Sequence, residues 1–148
     1  MAYSHLLIAI DLTDDCHRVL ERAHKLCLAL ECQATLVHVV EPLTMAFGGD
    51  VPMDLSLLQQ QQTEQAQNKL NVLAQQHELL KNNNCHLLYG QPKQEIHQLA
   101  KDHGCDLIIV GSHGRHGLAL LLGSTTNDLL AGAPCDGLAI DLKAHPVD

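Results

Sequence analysis

Most of the chemistry legible in this chain lies in one segment, Gly111-Ser-His-Gly114-Arg-His-Gly117-Leu-Ala-Leu-Leu-Leu-Gly123-Ser124-Thr125. Gly111 and Gly114 let backbone approach a ligand closely or take up positive φ. Gly123-Ser124 would open a helix, whose free N–H groups and positive dipole end make an anion site. Ser124 and Thr125 add hydroxyl donors. The group can cradle a phosphate chain, and it can equally be a tight turn with no ligand. It is not a Walker A loop, because no lysine follows the last glycine. It is not a dinucleotide fingerprint either, since it follows the fourth predicted strand rather than the first. Asp11 closes the first apolar run, where a carboxylate can face a base or ribose. It can also cap the helix that follows.

Other reactive side chains have plainer readings. His113 and His116 flank Arg115 and could steady a phosphate, but a metal centre would need a carboxylate or thiolate beside them. No metal is expected. His38 falls in the middle of a strand and reads as a packed core histidine. Cys27 and Cys32 flank the end of the first predicted helix and read as buried packing residues. His103 and Cys105 bracket a turn. Neither Gly-x-Ser-x-Gly nor a Cys/His arrangement stands at a strand end, so no catalytic residue is assigned and an enzyme is not expected, with slow hydrolysis of a bound ATP left open.

Composition excludes several classes of function. The 148 residues carry a formal charge of −8, which argues against binding nucleic acid, since neutralising phosphates needs a basic face. A small phosphate ligand is not excluded, because backbone N–H groups can hold one locally. Eleven histidines can move the charge by several units between about pH 5 and 7. The six cysteines form no CxxC pair and no signal peptide precedes them, so reduced thiols and a cytoplasmic location are expected. Apolar runs such as Leu118–Leu122 are too short to span a bilayer. The core must be aliphatic, because the chain has no Trp, one Phe and two Tyr.

The elements that would position the glycine segment follow from periodicity. His5–Ile10, Ala34–Val40, Cys85–Tyr89, Asp106–Val110 and Gly137–Leu142 are apolar or β-branched runs that predict five strands. Thr13 is the expected N-cap of a first helix, with Asp14 and Asp15 in its first turn. Its inner face would carry Val19, Leu20, Ala23, Leu26, Cys27 and Leu30. Residues 42–54, with two prolines and Gly48-Gly49, read as a loop. A Gln-rich helix should run from about Leu55 to Lys81, with a narrow apolar stripe of Leu58, Ala66, Leu70, Leu73 and Leu80. Pro92 suits the first turn of another helix ending at Gly104. A short helix is predicted over Ser124–Ala131. Strands and helices alternate over 1–148 with no internal repeat or linker, which predicts one domain. Its fold would be a doubly wound, five-stranded parallel sheet with helices on both faces, Rossmann-like in the wide sense. In such sheets a ligand lies beyond the carboxyl ends of strands at a topological switch point, which singles out the loops after Ile10, Val40 and Val110.

With these residues in place, the chain resembles the universal stress proteins, and their A type most closely. The family pattern is Gly, two residues, Gly, nine residues, then Gly-Ser or Gly-Thr. Gly111, Gly114 and Gly123-Ser124 match it, with eight residues between Gly114 and Gly123. One residue fewer shortens the path by up to about 3.5 Å. Met1–Thr13, Leu36–Glu41 and Asp106–Gly114 are also similar to family signatures. The resemblance implies an adenine-nucleotide-hydrolase-like fold and a homodimeric stress-response regulator holding ATP or ADP, with or without Mg²⁺. Ala9 and Asp11 would lie near adenine and ribose, and Val39 would line the base pocket. Gly111, Gly114, Gly123, Ser124 and Thr125 would hold phosphates, with His113 in the same loop. The A type also includes members that hold no ATP, which leaves a second reading: regulation through protein partners or phosphorylation of Ser124 or Thr125. The resemblance further implies dimerisation through the last strand, with Leu138, Ile140 and Leu142 set antiparallel to their copies.

Overall fold

The computed structural model describes residues 3–42, 55–80, 84–112 and 129–141. Strands β1 (His5–Ala9), β2 (Gln33–Val40), β3 (Cys85–Tyr89), β4 (Leu107–Ser112) and β5 (Asp136–Asp141) form within two residues of the predicted runs. They join into one parallel sheet of order β3-β2-β1-β4-β5. Helices α1 (Cys16–Leu30), α2 (Leu55–Gln76) and α3 (Pro92–Asp102) connect them. Leu129 and Leu130 are helical. The start of the predicted Ser124–Ala131 helix, most of the 42–54 loop, Lys81 and Leu142 lie outside the described residues.

Both faces of the sheet are covered, because successive strand side chains point to opposite sides. On one face Leu6, Ile8, Leu36 and Ile109 meet Val19, Leu20 and Ala23 of α1 and Leu70 and Leu73 of α2. On the other, Leu7, Ala9, Val37, Val39, Ile108 and Val110 meet Ile96, Leu99 and Ala100 of α3, together with Leu129. Strands buried on both faces need continuous aliphatic runs, and this is the pattern of β1 and β4. At the amino ends of the strands, Asp106 ties β1 to β4. Its carboxylate accepts from the Ser4 N–H at 2.8 Å, the Ser4 hydroxyl at 3.0 Å and the His5 N–H at 3.0 Å. Burial alone would raise the Asp106 pKa, but the bonds from His5 and Ser4 outweigh it and hold the carboxyl below its ordinary 3.8.

Two expectations for the helices need correction. The buried stripe of α2 is Leu55, Ala66, Leu70 and Leu73, whereas Leu58 is 51% exposed. At about 100° per residue, Leu58 falls roughly 80° from the centre of that stripe, beyond its width. Leu80 is buried as predicted, but from a separate 3₁₀ turn, Glu78–Leu80. The outer face of α2 is laced by side-chain bonds such as Gln67 to Asn71 at 2.9 Å, as suits a solvated face. Helix α1 begins at Cys16 without a side-chain cap, so Thr13 is not its N-cap and Asp14 and Asp15 precede its first turn. The reason lies in the turn after β1. Leu12 takes a left-handed conformation with φ 64°, which delays the helix and leaves Thr13 in the turn itself.

Candidate functional site

The chain leaves β1 towards β2 on one side, while β4 leads on to β5 on the other. The topological switch point therefore lies between the carboxyl ends of β1 and β4, where ligands of open α/β sheets bind. Ile10 and Asp11 emerge there from β1, and Gly111 and Ser112 end β4 beside them. Of the predicted site residues, Ala9, Asp11, Val39 and Gly111 are described. His113, Gly114, Gly123, Ser124 and Thr125 lie outside the described residues, as do Arg115 and His116.

Ala9 and Val39 are 1% and 3% exposed and belong to the same core cluster on the α3 face. They form packed floor beneath the strand ends. Gly111 is buried and held in register with Ile140 of β5. Asp11 is placed by its own turn. Its Oδ1 accepts from the Thr13 N–H at 3.1 Å and the Thr13 hydroxyl at 2.7 Å. This is an Asx-type turn, not a helix cap, so the capping alternative for Asp11 does not hold. The other oxygen, Oδ2, is buried and has no hydrogen-bond partner among the described residues. A buried carboxylate oxygen is costly unless something donates to it.

His38 contributes more than packing, which its mid-strand position did not reveal. It is half-buried on β2, and its Nδ1 donates to the Ile10 carbonyl at 2.7 Å. That bond pins the exit of β1 immediately before Asp11 and fixes the neutral ring with Nε2 as acceptor. Burial pushes the His38 pKa below its ordinary 6.5, against smaller upward effects of the Ile10 bond and Asp11. Burial also lowers His77 and His86, with help from His17 beside the first and His103 beside the second. A histidine depressed in the folded state binds fewer protons than in the unfolded chain. Stability is then full above about pH 6.5 and declines as pH falls through the window below it. Within that window His38 contributes a slope of at most about 1.4 kcal/mol per pH unit. Urea unfolding between pH 7.5 and 5 should show this decline, and His38→Gln should flatten it.

A cavity of about 620 Å³ opens beside the turn that follows Asp11. It lies between Leu12, Thr13 and His17 on one side and Lys69, Val72 and Gln76 of α2 on the other. Asp11 and Gly111 are not among its lining residues. The described residues contain no cluster of three or more metal-ligating side chains and no helix long and apolar enough to cross a membrane.

Comparison with known proteins fits this architecture. The model of the universal stress protein family matches residues 2–141. The chain is 37% identical to "Universal stress protein A homolog 1" of Coxiella burnetii, over 97% of this chain and 99% of that relative. Among solved structures, MJ0577 of Methanocaldococcus jannaschii superposes with a TM-score of 0.73 at 23% identity, covering 98% of this chain and 100% of that one. The universal stress protein from Archaeoglobus fulgidus in complex with dAMP gives 0.59 at 18% identity, covering 95% and 99%. These two likenesses show the fold, and the match to the Coxiella protein and to the family model covers nearly the whole sequence. The chain belongs to the universal stress protein family.

Proposed function

We propose that this chain is a single-domain, cytoplasmic, homodimeric stress-response regulator that holds an adenine nucleotide, ATP or ADP, at its switch point. The observation that carries the reading is Asp11. Asp11 follows the carboxyl end of β1, and its buried Oδ2 has no donor among the described residues. A ribose hydroxyl or an adenine amino group would supply one. The Archaeoglobus fulgidus neighbour with dAMP shows that a protein of this fold can take an adenine nucleotide. Phosphates would extend from Gly111 towards Gly114, Gly123, Ser124 and Thr125, with His113 alongside and Mg²⁺ as their counter-ion. The reading is one of binding rather than turnover, and release of ADP from labelled Mg-ATP would count against it. The composition offers a direct test. With no Trp and two Tyr, the protein absorbs little at 280 nm, and a co-purified nucleotide would shift the maximum towards 260 nm.

The dimer would form along β5, which ends the sheet on the β4 side. Asp136 to Ala139 are exposed and Leu138 is 38% exposed, while Ile140 leans on the α1-side core. An edge that open can pair with its own copy across a two-fold axis. Sedimentation is expected to show a dimer at tens of micromolar, roughly where a modest interface forms, and Leu138→Lys should dissociate it. A monomer at that concentration would remove β5 pairing from the account.

A further inference from the structure

We propose that Cys27 and Cys32 are a redox-sensitive thiol pair that a hydroperoxide converts into an intramolecular disulfide. Four residues separate them, a spacing that matches no redox motif, but the end of α1 folds them together. Glu31 takes a left-handed conformation (φ 53°, ψ 47°), and the Cys32 N–H donates back to the Cys27 carbonyl at 3.2 Å. This is the six-to-one bond of a Schellman turn, whose two end residues pack side by side. The side chains repeat the link. The Cys27 thiol donates to the Cys32 carbonyl at 2.6 Å, and the Cys32 thiol faces the Cys27 carbonyl at 4.0 Å. Two cysteines whose thiols each face the other's carbonyl across a closed turn need only side-chain rotation to approach disulfide geometry.

Accessibility separates this pair from the buried thiols. Cys27 and Cys32 are half-buried at the rim of the core, whereas Cys16 and Cys105 are buried. Burial first, and then the bond to Cys27, pushes the Cys32 thiol up to about 11. Both sulfurs lie at the rim, so either can meet the oxidant first and the other then resolves the product. When Cys27 reacts first, its thiol gives up its proton as the sulfur attacks the peroxide, the O–O bond breaks, and one oxygen stays on sulfur as a sulfenic acid while the other takes that proton and leaves as water. The Cys32 sulfur then attacks the sulfenic sulfur, and the oxygen departs as a second water. Two thiols and one hydrogen peroxide thus give one disulfide and two waters. The product would staple the end of α1 to the start of β2, because Gln33 follows Cys32 directly and bonds Ser4 beside β1.

The test is mass mapping of the full chain after exposure to hydrogen peroxide, with free thiols alkylated before digestion. Both sulfurs fall in one tryptic peptide. It should lose two hydrogens and two alkylation sites, and a dithiol should restore both. Cleavage after Glu31 should leave the two halves joined until reduction. Cys27→Ser and Cys32→Ser should each abolish the link while leaving the circular dichroism spectrum unchanged. A cross-link between Cys105 and Cys135, a disulfide between chains, or only over-oxidised single sulfurs in the unaltered chain would overturn the proposal.

Discussion

Leu20→Ala is expected to cost about 3–4 kcal/mol of stability, the range for deleting a fully buried leucine without collapse of the site. Leu20 is 0% exposed on α1, within the cluster that includes Leu6, Ile8, Leu36 and Ile109. These are strand residues of a rigid sheet that cannot close over a lost side chain, so both the transfer cost and the cavity cost apply. Against a typical net stability of about 5–15 kcal/mol, one truncation removes a large share. Urea unfolding should show a lower midpoint at unchanged slope. Leu58→Ala provides the control. That side chain is 51% exposed, and its loss should change stability by less than about 0.5 kcal/mol.

The contrast between these two leucines marks what the sequence could and could not convey. Strands buried on both faces announce themselves, because β1 and β4 must be apolar at every position, and runs such as Leu107–Val110 have no other reading. A half-solvated helix says less. The apolar residues of α2 are sparse enough that one residue's angular offset decides whether Leu58 faces in or out. The turn after β1 was hidden for another reason. Asp-Leu-Thr is compatible with a helix cap, and only the left-handed Leu12 turns Thr13 back onto Asp11. Nothing in local spacing signals a non-glycine residue in that conformation. Cys27 and Cys32 were read as packing residues for the same reason, since their meeting depends on the left-handed Glu31. For the candidate site, the place of Asp11 at the end of the first strand was legible, but three loops qualified until the strand order set the switch point between β1 and β4. The unpartnered Oδ2 and the role of His38 in pinning Ile10 were not legible, because both depend on side-chain geometry across two strands.

The second large effect concerns nucleotide binding. The favourable contributions are the buried acceptor on Asp11, the glycines at 111, 114 and 123, and the helix start at Ser124 predicted from sequence. Opposing them are the net charge of −8, the absence of a nearby lysine in the glycine segment and a span one residue shorter than the family pattern. The balance predicts a Kd of about 10 μM to 1 mM, equivalent to roughly 4–7 kcal/mol. Asp11→Asn keeps an oxygen for Thr13 but puts an N–H donor where Oδ2 was, opposing a ligand donor. It should weaken binding by about tenfold or more, the effect of replacing a favourable charge-assisted bond with a mismatch, while leaving thermal stability nearly unchanged. Gly114→Val should abolish binding by filling the backbone approach to phosphate.

Titration calorimetry with Mg-ATP on the unaltered chain, with Asp11→Asn and Gly114→Val run beside it, tests the central claim most directly. Saturable heat from the unaltered chain, about tenfold weaker binding by Asp11→Asn and none by Gly114→Val is the predicted result. An unaltered chain that gives no heat at millimolar Mg-ATP and Mg-ADP would contradict it, and would leave regulation through protein partners as the function of this fold.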